Sequence, residues 1–592
     1  MQDESNRNLL MFVVIAAAIL VLYQVFFLGP QVARQHAAQQ AAAAAQAAAH
    51  PATAAPGGAP SGFLPRAEAV AASPRIKIDT PSLSGSLALR GARIDDLYLK
   101  HYRTDTKPGS PLVEMFRPSG AEHAWFADVD WSGPGAPDAN TLWTAAPGAT
   151  LTPTTPLVLN YDNGLGLKFT RTISVDANYM FTLSDAVANT GAAPVSLESF
   201  GSIQQRGIPS DLANSSIVHE GAVGVLNRNP EAHKYKDWKK DGVYDISATG
   251  GWLGITQKYW LAALIPDQST PIKAQFRVQP VGDTDVFQAG FVGPMETVAP
   301  GATLHRTTRV FAGAKIAPQL AAYAKDLGIY KFDLAIDWGH LWFITQPLFQ
   351  LLEFINQRVG NFGLSILALT VLIKLLFFPL QNKSYESITK MKKIQPDIEE
   401  LKKKWEKDPA KLQSETMVLY QKEKINPLMG CLPMLVQIPV LYALTKVLTV
   451  TIEMRQAPFF GWIHDLAARD PSSIWNLFGV LPYDPSHLAL VGTILNGPLH
   501  IGFWPLLYGF SMWLSQAMNP PSPDPTQRMI FQFMPLIFTF TMAQFTVGLV
   551  IYWLWSNLLS IVQQYIIMRR FKVGNPIDDF IARFRKPGAA TG

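Results

Sequence analysis

Apolar residues gather in a few long charge-free runs. A run that can cross about 30 Å of hydrocarbon predicts a helix of about 20 residues. Residues 8–33 carry no charge, and Leu9–Leu28 is almost wholly apolar. That core exceeds the roughly 7–15 residues of a cleaved leader, so residues 1–30 read as an anchor that stays. The alanine tract behind it offers a cleavage site, which leaves the alternative open. Further runs predict spans at 359–381, 425–445 and 501–518, the last ending before NPPSPDP. Met529–Met568 is uncharged for 40 residues. At 1.5 Å per residue it would reach about 60 Å, twice a bilayer core. It must fold back near Gln544–Gly548, giving spans 529–545 and 548–568. The expectation is six spans, five of them in 359–568. Residues 474–500 are fairly apolar but broken by Pro482, Asp484, Pro485 and Pro498, and read as a surface or re-entrant segment.

Other periods fill the intervals. Residues 31–74 begin with an Ala/Gln/Pro-rich stretch that has nothing to pack with, a tether. From Arg75 to about 335, strand-like alternation takes over. Ile272, Ala274, Phe276 and Val278 alternate with Lys273, Gln275, Arg277 and Gln279, and Tyr179, Phe181 and Leu183 alternate likewise. Such patterning predicts a large β-sandwich. Residues 338–358 mix aromatics and leucines with polar positions, as an amphipathic helix in the bilayer interface does; a buried helix of the β domain is the competing reading. In 384–425, Met391, Ile394, Ile398, Leu401 and Trp405 step by three and four, predicting a helix with one apolar seam. Asp408-Pro409 turns it and Lys411–Ile425 returns, with Pro396 either kinking the first helix or marking its start. The hairpin reads as a docking element or as a solvated loop.

Charge orients the chain. Residues 381–428 hold eleven lysines, and the tail 569–592 opens with Arg569, Arg570 and Lys572. Lysine and arginine in short loops mark the cytoplasmic side, which places 31–358 outside and both termini inside. The overall net charge of +5 adds little. A single cysteine, Cys431, excludes an internal disulfide and reads as a small buried hydrophobe.

No Walker loop, HExxH or GxSxG occurs, so the chain is not expected to be an enzyme or to carry a metal or other cofactor. What remains is polar residues within apolar helices. The stretch SILALTVLIKLLFFPLQNKS, residues 365–384, keeps one lysine, Lys374, ahead of Pro379. A lysine at mid-bilayer costs roughly 2.5–3.5 kcal/mol. Seven residues from the span end place Lys374 about 10 Å deep. Thr370 and Gln381 share its helix face if 359–381 is one helix. Gln437 and Thr445, eight apart, fall on one face of the next span, Tyr508, Ser511 and Ser515 align on another, and Trp553, Asn557, Ser560 and Gln564 form a stripe on the last. Two readings of Lys374 stand: snorkelling to the headgroups, or facing a wet concavity built by the four stripes. No acidic residue lies in any span to pair with it. Lys446, near the outer end of its span, reads as snorkelling.

Several stretches carry a close resemblance to the YidC membrane-protein insertases of Gram-negative bacteria: NRNLL at the start, MGCLPMLVQIPVLYAL, IEMRQAPFFGWIHDLAARDP and GLVIYWLWSNLLSIVQQYIIMRR. The resemblance implies insertion of nascent membrane proteins into the inner membrane, alone or beside the Sec translocon. It implies a five-helix core whose groove opens to cytoplasm and lipid. It places the groove cation at Lys374, a substrate-contacting threonine at Thr370, and last-helix contacts at Tyr552 and Trp553. It likens the outer, periplasmic domain to the β-supersandwich of galactose mutarotases. Many relatives carry arginine at the Lys374 position and a second tyrosine at Trp553, and the loop at 466–500 is longer here than in the best-known members. The hairpin and basic tail are candidate docking sites for a ribosome or targeting factors; nothing points to DNA. Two other classes compete: a secondary transporter, against which the lack of internal repeats speaks, and a sugar-binding enzyme on a mere anchor, for which five spans after the domain are too many.

Overall fold

The computed structural model describes residues 63–209, 212, 218–406, 408–426, 432–481, 495, 497, 499–521 and 525–585. The expected anchor at 1–30, most of the 31–74 tether, Cys431, most of 482–498 and the end of the tail lie outside them.

Between Arg75 and Ala314 the chain forms a ten-stranded and a nine-stranded sheet around one apolar core. In the first sheet Val195–Arg206 pairs with Trp125–Ser132 and Thr284–Val298; in the second Thr303–Ala314 lies between Trp260–Ile265 and Met180–Asn189. The alternation in the sequence is the cause: on Pro271–Val281, Ile272, Ala274 and Phe276 point inward while Lys273 is exposed. One polar stitch joins the layers. Arg171 Nε and Nη2 each donate to Asp185 at 2.8 Å, and Trp131 Nε1, from the other sheet, donates to Asp185 Oδ2 at 2.9 Å. A fully buried guanidinium needs this pairing to avoid a large desolvation cost. Burial pushes the neighbouring Asp130 carboxyl up to about 8.

Helices follow. Ala317–Asp326 (α1) packs beside the 3₁₀ turn Phe332–Ala335, and Trp342–Val359 (α2) comes next. Gly360, at φ 73°, ends α2, and the Asn361 side chain accepts from Leu364 N to start Phe362–Leu376 (α3). The expected single span at 359–381 is broken. Pro379 has no N–H, its ring crowds the carbonyl four residues back, and it disfavours helical geometry just before it. The chain resumes at Phe378–Lys393 (α4) after a 70° bend. Pro396 repeats this at Ile394, starting Gln395–Lys404 (α5), so the hairpin's outgoing arm is two helices. Asp408 caps the return helix Pro409–Lys422 (α6). Ile394 and Ile398 pack with Ile425, Met391, Leu419 and Tyr420. Trp405 lies outside that cluster, under the Lys411 ammonium.

Leu432–Val450 (α7), Phe503–Met518 (α8), Pro525–Met542 (α9), Val547–Arg570 (α10) and Pro576–Arg585 (α11) complete the helical part. The chain folds back between α9 and α10, at residues 543–546. Among the described residues no single helix is long and apolar enough to cross a membrane; the bent pair α3–α4 reaches that length together, and Gln437–Val450 and Arg528–Met542 are shorter apolar stretches. The loop after α7 ties helix ends together. Asp470 accepts from Ser472 N, Ser472 Oγ and Trp462 Nε1, and its other oxygen accepts from Trp504 N to start α8. Val547 N and Gly548 N donate to Ala468 O and Leu466 O.

The sandwich is docked on these ends. Lys446 is 3% exposed and its ammonium lies 2.5 Å from Asp337 Oδ2. This overturns the snorkelling expectation: a carboxylate from the connector, residues 336–341 between the 3₁₀ turn and α2, holds the charge inside. Arg455 Nη2 and Gln456 Nε2 donate to Arg103 O at 2.5 and 3.0 Å.

Candidate functional site: a polar cavity beside Lys374

Lys374 lies in the last turn of α3, closer to a helix end than counting from residue 381 implied. Its side chain turns inward and donates to Ser560 Oγ on α10 at 2.8 Å. Ser560 Oγ donates in turn to Ser556 O at 2.9 Å. Among the described residues no carboxylate pairs with Lys374. Around it is a cavity of about 160 Å³. Gln381 and Tyr385 reach it from α4, Gln437 from α7, and Tyr552, Trp553, Ser556, Asn557 and Ser560 from α10. Gln437 Nε2 donates to Tyr552 OH at 2.6 Å, bridging α7 to α10.

Gln381 does not share a helix face with Lys374. It enters the cavity because the 70° bend folds α4 across the end of α3. Thr370 is buried, and its hydroxyl donates to Ile366 O at 2.7 Å, back along its own helix. Tyr508 stacks edge-on against Trp553 with centroids 5.6 Å apart, behind the cavity wall. Ser511 accepts from Asn557 Nδ2 at 3.3 Å and donates to Tyr508 O. Ser515 is half-buried one turn further on, and Gln564 is buried and bonded to Asn519 Oδ1. The structure therefore gathers Lys374, Gln381, Gln437, Tyr552, Trp553, Asn557 and Ser560, and sets Thr370, Tyr508, Ser511 and Ser515 outside the lining. Tyr385 and Ser556 were missed. Ser556 is one turn before Ser560, a signal available in the sequence; Tyr385 is one turn after Gln381 but beyond the expected span.

Gln381 Oε1 and Trp553 Nε1 are buried at the lining without a protein partner among the described residues. Such atoms require water or a bound polar group. An ammonium, an unpartnered amide oxygen, an unpartnered indole N–H and hydroxyls in a cavity flanked by apolar helices can hold a carboxylate or a peptide's polar atoms. Among the described residues no group of three or more His, Cys, Asp or Glu is placed to hold a metal.

The tail candidates Arg569, Arg570 and Lys572 are all exposed, and Arg569 also lies 3.6 Å from Asp578. Leu401 is half-buried on α5.

Family models match almost the whole described chain: the YidC periplasmic domain over residues 75–351 and the 60Kd inner membrane protein over 354–574. The membrane protein insertase YidC of Caulobacter vibrioides (strain NA1000 / CB15N) is 55% identical over 100% of both chains. The chain belongs to the YidC family of membrane protein insertases. A second YidC, from Nitrobacter hamburgensis, is 48% identical over 95% of each chain. A solved active YidC insertase aligns over 82% of this chain and 91% of its own at 17% identity, with a TM-score of 0.34. A galactose mutarotase related enzyme from Lactobacillus acidophilus aligns over 40% of this chain and 97% of its own, at 10% identity and a TM-score of 0.28. Membership in the YidC family rests on the sequence matches alone. The split between the two family models, after residue 351, falls within α2.

Proposed function

We propose that this YidC-family protein receives nascent membrane proteins in the Lys374 cavity and releases them sideways into the inner membrane. The observation that carries the reading is one inward-facing ammonium in a polar cavity whose helices are apolar on their outer faces. Leu375 and Leu376 on α3, Phe510 and Trp513 on α8, Ile530, Phe533, Leu536 and Ile537 on α9, and Val562 and Ile566 on α10 are all exposed. So much exposed apolar surface needs lipid around it. In this reading the helices supply five spans, the 1–30 anchor a sixth, the sandwich is periplasmic, and both termini and the lysine-rich hairpin are cytoplasmic.

The mechanism follows from the cavity's chemistry. A segment enters from the cytoplasm with water around its polar end. Lys374 attracts its acidic groups where charge is poorly screened. Gln381, Gln437, Asn557 and the hydroxyls replace lost water, so the polar tail has a shorter stretch of hydrocarbon to cross. The membrane potential adds about 2.3 kcal/mol per negative charge per 100 mV. The apolar part leaves along Tyr552 and Trp553. No nucleotide step is needed. Thr370 acts by shaping α3 behind the lining. The hairpin, Arg569, Arg570 and Lys572 are offered to a ribosome or targeting factor, and the Sec translocon is the further partner for some substrates.

The test compares Lys374→Arg with Lys374→Glu, scored by insertion of an acid-tailed single-span substrate. Arginine is expected to keep insertion and glutamate to reduce it at least about tenfold, the worth of one charge-assisted hydrogen bond. Equal insertion by both variants would end the charge-attraction reading.

A further inference from the structure

A larger cavity, of about 320 Å³, shares no lining residue with the Lys374 cavity and lies between α1, the 333–338 segment and α2. Asp333 and Glu353 line it with Gln346 and Gln350, and Trp338 and Phe354 supply aromatic surface. Two observations mark it as built for a ligand. Trp338 is 5% exposed, yet its indole N–H has no acceptor among the described residues. Glu353 Oε2 is likewise buried without a donor. An unmet donor and an unmet anionic acceptor in one cavity call for a ligand that carries both signs.

The place narrows the ligand further. Trp342, Phe343 and Phe354 project from α2 as exposed large apolar side chains. Such a helix rests with those rings at the level of lipid headgroups. We infer that this cavity binds the zwitterionic headgroup of an amine-bearing phospholipid, phosphatidylethanolamine being the simplest. The inference rests on the membrane placement proposed above. The primary ammonium donates to Glu353 and Asp333 beside the aromatic surface of Trp338, which favours a cation; the Phe354 ring is already stacked by the Arg358 guanidinium at 3.5 Å and takes no part. The phosphate accepts from the Trp338 N–H and the glutamine amides. A quaternary choline headgroup has no N–H to give Glu353 and binds more weakly. The lipid would then fasten the junction between sandwich and helices to the membrane surface.

The test uses the purified full chain, delipidated and returned to phosphatidylglycerol with an equal share of phosphatidylethanolamine or phosphatidylcholine. Lipid retained on the protein is read by native mass spectrometry. Ethanolamine lipid is expected to be retained about tenfold over choline lipid, the effect of one charge-assisted hydrogen bond. The double variant Glu353→Gln/Asp333→Asn is expected to erase the preference. Ala321→Trp, which fills the cavity from its α1 wall and keeps both carboxylates, should erase it too. Equal retention of the two lipids by the unaltered protein overturns the inference, as does a preference that survives both variants. A bimane at Phe343→Cys, in a Cys431→Ser background, separates the two levels of the reading. Quenching by brominated acyl chains without headgroup preference sinks the lipid site alone, whereas no quenching sinks the membrane placement beneath it.

Discussion

Ser560 takes the Lys374 proton donor on one side and bonds Ser556 O on the other. Ser560→Ala removes that acceptor, and insertion of acid-tailed substrates is expected to fall about tenfold, with Ser560→Thr restoring it; a hydrogen bond to a charged group is worth about 1.5–3 kcal/mol. Gln437→Leu and Tyr552→Phe should be non-additive by about 1 kcal/mol in a double-mutant cycle read by denaturant unfolding, since they share one hydrogen bond. At this scale the sequence was informative where a residue broke its surroundings. Lys374 stands out because an ammonium interrupts an apolar run. Thr370 stood out for its spacing, and its hydroxyl turns back onto Ile366 instead, a choice between neighbours that periodicity does not encode. Lys446 paired with Asp337, 109 residues earlier, a contact that only the tertiary fold creates.

Elements were legible by period, and their breaks by proline. The alternating strands and the fold-back between α9 and α10 follow from patterns of two and of unbroken apolar length. The bend between α3 and α4 was written in Pro379, yet an apolar run across it concealed the consequence. Pro379→Ala is expected to straighten the pair. Spin labels at Leu364 and Lys393 should then move apart by about 8 Å, the difference between a straight helix and one bent 70° over that length. Glu453, in the 3₁₀ turn after α7, gives a pH signature. Burial pushes its carboxyl up to about 7, and the Glu353 carboxylate adds to the effect. A carboxyl raised in the folded state holds its proton there longer than in the unfolded chain. Its contribution to stability is complete below the ordinary glutamate range and is lost as pH rises through about 7. The melting temperature in detergent should fall between pH 5 and pH 8, and Glu453→Gln should flatten that slope.

The whole molecule is a sandwich resting on a helical part, with Asp337 and the Arg455–Gln456 pair at the seam. Asp337→Asn takes the carboxylate from Lys446 and should lower stability on the order of 1–2 kcal/mol, less than a fully buried pair because Asp337 stays partly open to water. The same loss should appear as faster amide exchange in the connector before α2. The two-part architecture was legible from the change of period near residue 335, but the seam was not, because none of its contacts is local in sequence. Arg455 and Gln456 both grip a main-chain oxygen, that of residue 103. What they recognise is the position of a strand end and not the identity of a side chain. Position 103 is thus free to drift among amino acids while the docking survives, so long as the carbonyl keeps its aim.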